Sequence, residues 1–420
     1  MVRDGPQPVV LTYYLYQAAD SVGFIWPIFT LFLLWNDLTY TQIGTLSALS
    51  AILVVSLELP TGYVADRYGR RTALAIGMTA MAVSTAGFVV ADTFLEFAAL
   101  YALWALSMAL QSGTADAWLY DALRGAVDDR SFTHVRGRGG SVYQWMSAVT
   151  MVAGGFLYVV HPTYPFVASA LLNAVGVLIV LAMPRNPRFE SSTGDDRVGV
   201  RESVSILTTQ FATPALRVFV VYVALFFGVV HAADEYIQPI TVDVVEARVG
   251  DVLSSPELAG LPIQAETTLG FVYAGFAVVA AVASYHAETV RRHVGLRRAL
   301  VALPVCVAAA FLLPLVFPLL AIPVFFAMKG GAELVTPLVA QYVNDRTGET
   351  SRATVLSTIS MAKAGVRAPL MPLAGLVADV ASPITAVGTL GGGFLTVAVL
   401  IIAVASPVVI DASGRPQDEA

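Results

Sequence analysis

The sequence predicts an all-α membrane protein of twelve transmembrane helices in two six-helix, pseudo-symmetric bundles. Three observations lead there. First, apolar residues make up 57% of the 420-residue chain and charged residues 13%, with a mean hydropathy of +0.72. Soluble domains hold about 45–50% and about 25%. So few charges cannot cover a water-soluble surface, and the same numbers exclude disorder. Second, twelve stretches reach the roughly 20 apolar residues that cross a bilayer. Third, the basic residues fall almost wholly on one side of those stretches.

The spans, in order, lie near 11–35, 42–65, 72–92, 95–119, 140–160, 165–184, 214–238, 267–287, 297–317, 319–342, 353–377 and 384–409. The first follows a short N-terminus without the basic segment and cleavage site of a signal peptide. Pro314, Pro318 and Pro323 crowd the division between the ninth and tenth. A polar stretch over 185–213 separates six spans from six and reads as a cytoplasmic linker. Pro239 to Glu266 reads as an external loop. The chain therefore divides into a bundle over 1–184, the linker, a bundle over 214–410 and a polar cytoplasmic tail over 411–420. With the N-terminus inside, 20 of the 24 basic residues fall on cytoplasmic segments and one, Arg248, outside. The other three, Lys329, Lys363 and Arg367, fall within spans. Such asymmetry predicts a multi-pass protein of the cell membrane with both termini cytoplasmic.

An internal repeat supports the two halves. Ala18-Ala19-Asp20 is echoed by Ala232-Ala233-Asp234, and Gly69, Ala73 and Leu74 by Gly295, Ala299 and Leu300. The lone Cys306 lies in an apolar run and is expected to be a buried, inert thiol.

Between the second and third spans the chain reads Gly62-Tyr63-Val64-Ala65-Asp66-Arg67-Tyr68-Gly69-Arg70-Arg71-Thr72-Ala73-Leu74. Gly62 and Gly69 permit close helix approach and a tight turn. Asp66 lies at a helix end, where a carboxylate can meet a neighbouring helix dipole. Arg67, Arg70 and Arg71 hold the inner face and can pair with lipid headgroups. The stretch resembles the signature loop of the major facilitator superfamily, and Glu58-Leu59-Pro60-Thr61 before it resembles the drug:proton antiporter branch. The resemblance implies the facilitator fold, secondary transport, and a loop that latches the two halves in one conformation. There are departures. The fourth span lacks the arginine common in proton antiporters, and Ala153-Gly154-Gly155 lacks the preceding Gly-Pro. The second-half copy of the loop, His286 to Arg298, keeps basic character without the aspartate.

Ionisable groups within spans mark candidate sites, since each costs about 3 kcal/mol or more at mid-bilayer. Asp20 lies near the middle of the first span, with Tyr13, Tyr16 and Gln17 on the same helical face, and reads as a cavity wall for substrate or proton. Lys363 and Arg367 share a face of the eleventh span, as Lys329 and Glu333 do of the tenth. They form either a salt-bridge network or an anion site responsive to Glu333. Glu58, Asp116 and Asp234 are possible gate or proton groups, with plain partners of inner-loop arginines as the other reading for the first two. His161 and His231 are candidate pH sensors or simply hydrogen bonded, and Tyr143, Gln144 and Trp145 are possible cavity residues.

No P-loop, zinc motif or Cys/His cluster is present, so neither a metal nor a cofactor is expected. The chain is not expected to be an enzyme or to bind nucleic acid. The expected function is secondary active transport by alternating access, first as proton-coupled export of a small amphipathic molecule. Proton- or sodium-coupled uptake of a carboxylate or other metabolite is the alternative, and a non-transporting sensor or lipid-handling protein the reading from another class. The expected partners are a small-molecule substrate, a coupling ion (H+ ahead of Na+) and membrane lipids, with the chain monomeric.

Overall fold

The computed structural model describes residues 8–123, 129–184, 214–253, 264–346, 349–404 and Val408. The expected linker over 185–213 and tail over 411–420 lie outside them. The described residues form fifteen α-helices. The first eight are α1 (Pro8–Ala19), α2 (Phe29–Trp35), α3 (Tyr40–Tyr68), α4 (Arg70–Gly87), α5 (Phe94–Gln111), α6 (Thr114–Leu123), α7 (Asp129–Val160) and α8 (Tyr164–Ala182). They are followed by α9 (Pro214–Asp234), α10 (Ile237–Leu253), α11 (Ala265–Val294), α12 (Leu296–Ala310), α13 (Ala321–Asn344), α14 (Glu349–Val380) and α15 (Pro383–Val404).

Eight stretches among the described residues are long and apolar enough to cross a membrane by length and composition. The remaining expected spans are interrupted or more polar. The first is split into α1 and α2, α4 is largely Ala, Gly, Ser and Thr, and α7 and α14 hold charges. The expected external loop after residue 238 is helical as far as Leu253. Counting hydropathy stops at Asp243, Glu246, Arg248 and Asp251. Yet residues 236–241 and Val244 are buried, so this helix begins inside the first unit.

Turn chemistry sets several boundaries. Thr39 and Gln42 cap α3 reciprocally, as Thr93 and Glu96 cap α5. Gly69 alone joins α3 to α4 at φ +94° and ψ 143°, and Gly295 joins α11 to α12 at φ +86° and ψ 143°. Both angles lie where a Cβ is unwelcome, so glycine is the residue each joint requires. The two joints, expected from the sequence echo, share one geometry. Two single-turn 3₁₀ segments, Leu313–Leu315 and Pro318–Leu320, fill the proline-crowded connection between α12 and α13.

The chain forms two compact units. The first gathers Met1–Asp195, Glu235–Ala277 and Met371–Pro383. Within it α4 packs on α5 and α8, and α3 on α5. One cluster surrounds α2: Phe32 lies 4.0 Å from Phe166, and Phe29 stacks on Trp104 at 5.4 Å, centroid to centroid. A separate cluster of Tyr13, Tyr16, Leu74, Met78, Trp118 and Leu119 holds α1. The two halves of the first span thus have separate anchors.

In the same unit α3 meets the end of α14 backbone to backbone. A Cβ on Gly44 would lie 2.4 Å from the Met371 carbonyl oxygen, and one on Gly375 2.3 Å from that of Tyr40. Asp379 then accepts from the amides of Tyr40 (2.7 Å) and Thr41 (2.9 Å) and from the Thr41 hydroxyl (2.6 Å). With Thr39 on the Gln42 amide and Gln42 on the Thr39 amide, all four N–H groups that open α3 without a helical partner are satisfied. Asp379→Ala is expected to lower stability by about 1 kcal/mol, as for loss of an N-cap. Thermal melting of the purified protein reads this, with Asp379→Asn intermediate.

The second unit gathers Asp196–Asp234, Val278–Leu370 and Ile384–Ala420. Tyr222 on α9 donates to the Val301 carbonyl (3.1 Å) and packs on Phe394 of α15. Gly331 lets α13 approach Val307 of α12, and Gly391 admits the Ala308 carbonyl. Cys306 is exposed, contrary to expectation. The buried face of α12 is Ala299, Leu300, Pro304, Val307 and Ala308, and residue 306 points away from it.

Candidate functional site

The structure corrects the first and fourth spans, which were expected to be continuous helices. α1 ends at Ala19, after which residues 20–25 are irregular before a 3₁₀ turn leads into α2. Non-helical backbone inside a membrane span is tolerated where protein or a water-filled cavity surrounds it. Here α7 surrounds it. A Cβ on Gly23 would lie 2.1 Å from the Thr150 hydroxyl and 2.6 Å from the Ser147 carbonyl, and one on Gly154 2.2 Å from the Phe24 carbonyl. The Ser21 hydroxyl exchanges hydrogen bonds with Ser147 (3.1 Å) and Thr150 (3.2 Å). The fourth span breaks between α5 and α6, where Gly113 adopts φ +69°. The seventh breaks between α9 and α10 at Glu235 and Tyr236.

The breaks in the first and seventh spans directly follow the repeated Ala-Ala-Asp triplets. The two aspartates have different surroundings. Asp234 pairs with Lys329 of α13 at 2.6 Å, so Lys329 pairs across helices. The Asp20 carboxyl has no hydrogen bond or ion pair among the described residues. The phenols of Tyr16 and Tyr143 lie within electrostatic reach of it.

The expected polar face around Asp20 is partly packed away. Tyr13 and Tyr16 are buried. The Tyr16 hydroxyl donates to Gln111 (2.8 Å), the last residue of α5, whose amide donates to Ser107 (2.8 Å). Gln17 donates to Tyr13 at 3.0 Å. The first two breaks are thereby tied together. Trp145 points away from the unit's interior, with three quarters of its surface exposed.

Gln238 and Glu235 were missed by sequence reading. The Gln238 carbonyl accepts from the amides of Thr30 (2.7 Å) and Leu31 (3.2 Å), which open α2, and its amide donates to the Trp26 carbonyl (2.9 Å). Glu235 accepts from the Ser47 hydroxyl at 2.7 Å. Asp379 does the equivalent for α3. Only the capping residues within each helix are visible in local sequence; partners some 200–340 positions away are not.

In the signature loop, Arg70 pairs with Asp121 and donates to the Ala117 carbonyl (2.6 Å), while Arg71 caps the end of α8 through the carbonyls of Val180 and Leu181. Arg67 rests over Tyr63 and Tyr68. Asp66 is exposed and engages no helix end among the described residues. The close approach expected at Gly62 is not made either, since a Cβ there would meet nothing within 4 Å. In the second-half copy, Glu288 pairs with Arg291 and Arg292 of its own helix.

Of the other candidates, Asp116 pairs with Arg136 at 2.7 Å, and Glu58 is exposed on α3, which continues through Pro60. His161 bonds locally to Thr163, and His231 donates from Nδ1 to the Phe227 carbonyl at 2.7 Å. Lys363 places its ammonium 3.6 Å from the centre of the Phe227 ring. Arg367 and Lys329 lie within electrostatic reach of His231, and Glu333 of Lys363.

Comparison with known proteins places this arrangement. A curated relative in Bacillus subtilis, the uncharacterized MFS-type transporter YxaM, is 25% identical over 213 residues, covering 49% of this chain and 51% of its own. The class B tetracycline resistance protein of Escherichia coli is 28% identical over 229 residues, with 51% and 53% covered. The quinolone resistance protein NorA of Staphylococcus aureus is 22% identical over 217 residues, with 50% and 53% covered. The chain thus spans about half the length of the curated relatives it matches. The fold extends further. The nucleoside transporter NupG superposes with a TM-score of 0.74 at 12% identity, over 94% of this chain and 98% of that one. The D-xylose–proton symporter superposes at 0.60 and 12%, over 97% and 98%. The family description "Major Facilitator Superfamily" matches residues 11–368. The chain therefore belongs to the Major Facilitator Superfamily and is a multi-pass membrane protein.

Proposed function

We propose that the protein exports a small amphipathic molecule against a proton gradient, with Asp20 as the coupling carboxylate. The observation behind this reading is the contrast between the two repeated aspartates. Asp234 has Lys329 at 2.6 Å. Asp20, at the break in the first span, has no counter-ion among the described residues. A bare carboxylate within a span costs about 3 kcal/mol, so a proton or a cationic group is its natural occupant. Export is supported by the drug-resistance names of two distant relatives, each matched over about half its length. The proton is preferred to sodium because Asp20 lacks surrounding oxygen ligands in hydrogen-bond contact.

The working cycle is alternating access between bundles over 1–184 and 214–410, in a monomer with both termini cytoplasmic. The arginine asymmetry supports that orientation. In it, the contacts of Gln238, Glu235 and Asp379 close the outer ends of α2 and α3, and the loop of Asp66 serves as the inner latch.

The test is reconstitution in liposomes containing a pH-sensitive dye, challenged with a panel of amphipathic compounds. Substrate-dependent proton movement is expected in the wild type and lost in Asp20→Asn. Equal proton flux in the variant excludes the role given to Asp20.

A further inference from the structure

Within the first unit, α7 and α11 cross backbone to backbone. A Cβ on Gly270 of α11 would lie 2.6 Å from the Met151 carbonyl oxygen and 2.8 Å from the Val152 Cα. One on Gly155 of α7 would lie 3.1 Å from the Thr267 carbonyl oxygen. Met151, Val152 and Gly155 therefore mark the side of α7 turned to α11. Positions seven apart on a helix share a side. Two turns back along α7, that side carries Gln144, Trp145 and Ala148, and Ser141 lies seven before Ala148. There the side is bare. Ser141 and Gln144 are exposed, and Trp145 is 75% exposed. A Cβ on Gly137, seven before Gln144, would meet nothing within 4 Å.

The chemistry of this bare stretch fits a ligand better than lipid. Trp145 lies mid-way along α7, inside the fifth span. Its indole stacks on no ring and donates to no acceptor among the described residues, and the Gln144 amide beside it makes no hydrogen bond there either. An amide in hydrocarbon without a partner is costly, so water or a ligand supplies it. An open aromatic face next to a few unspent polar groups is the make-up of a small-molecule site. The same turn of α7 carries Tyr143, within electrostatic reach of Asp20. The stretch therefore adjoins the coupling carboxylate.

The geometry points to a cargo with a planar aromatic ring, laid on the Trp145 indole with its polar edge bonded to Gln144. This rests on the transport reading above and deepens it by giving the cargo a ring. It holds for either direction of transport.

Binding is measured without a gradient, so the result does not depend on proton coupling. The purified full chain in neutral detergent is melted with 1-naphthylmethanol, 1-naphthylmethylamine and 1-naphthoate, and with their decahydro counterparts. Each pair shares its polar group and differs in the ring. At least one naphthyl compound is expected to raise the melting temperature clearly more than its saturated counterpart. Trp145→Leu should weaken that binding roughly three- to tenfold, the worth of an aromatic pair beyond its area. Trp145→Phe should retain most of it, and Asp20→Asn should leave it unchanged. Because Trp145 is exposed, its variants should melt like the wild type when no compound is added. A second measurement reads the surroundings of the site. Trp145→Cys, with Cys306→Ser, should react with a membrane-impermeant maleimide in unsealed membrane fragments, and the bound naphthyl compound should slow the reaction. Equal binding of the saturated forms overturns the inference, as does undiminished naphthyl binding by Trp145→Leu or binding of no naphthyl compound. Reaction of Trp145→Cys with lipid-soluble reagents alone places the residue against lipid and overturns it too. If naphthyl binding follows Trp145 while Asp20→Asn still moves protons, only the coupling reading fails. If Asp20→Asn stops proton movement and Trp145→Leu binds as before, only the aromatic site fails.

Discussion

Gly375→Ala and Gly44→Ala are each expected to leave a folded protein that has largely lost transport. A Cβ at either position would lie 2.3–2.4 Å from a backbone carbonyl oxygen across the α3–α14 contact. Backbone cannot rotate aside as a side chain can, so the helices must separate. Overpacking of this kind costs about 1–3 kcal/mol. Applied to the contact proposed to close the outer side, that energy shifts the closed-to-open ratio by roughly 5- to 150-fold. A cysteine introduced as Tyr236→Cys reads the shift, because Tyr236 is buried against Tyr40 in this structure. The exposed Cys306 must first be replaced, as Cys306→Ser, to leave one reporter. Labelling from the outside is expected to accelerate in both glycine variants. Unchanged labelling means that the crossing does not govern closure.

Lys329→Met is expected to be the most destabilising single charge removal in the second unit. It strands Asp234 in a site where both side chains are about three-quarters buried. Breaking a buried pair by removing one partner costs about 3 kcal/mol, at the low end of its range. Removing the second partner as well, with Asp234→Asn, should restore most of the loss, because the stranded charge goes with it. Asp20→Asn should cost nothing in the same melting experiment, since no partner is stranded. If Lys329→Met and Asp20→Asn melt alike, the asymmetry between the repeated aspartates has no energetic content.

The residues that sequence reading found are those whose signal is local. Asp20 stands out as an acid in an apolar run, and the signature loop as thirteen positions in register. The two joint glycines, read only as an echo at an offset of 226, adopt backbone angles within 8° of each other. The breaks in the spans were not found, because a hydropathy sum is blind to helix continuity. Gly23 and Pro27 just beyond Asp20 were the available signal, and Gly113 the equivalent in the fourth span. The caps supplied by Gln238 and Asp379 were out of reach for another reason. A polar side chain near a helix end looks solvated until the distant helix it serves is known. Cys306 was assigned by residue type when the helical face decided the matter.

The contact between α3 and residues 371–383 also bears on how the protein is made. Tyr40, Thr41 and Gly44 emerge from the ribosome more than 300 residues before Met371, Gly375 and Asp379. Until then the first two amides of α3 lack their acceptor and its glycine face lacks its mate. Non-local closure of this kind is slow to reach, and a nascent chain holding an unfinished face must avoid wrong neighbours meanwhile. The first unit is thus the earliest to be inserted and among the last to be completed. A ribosome that stalls before codon 371 releases a chain whose N-terminal helices are all present and whose first unit is still unsealed.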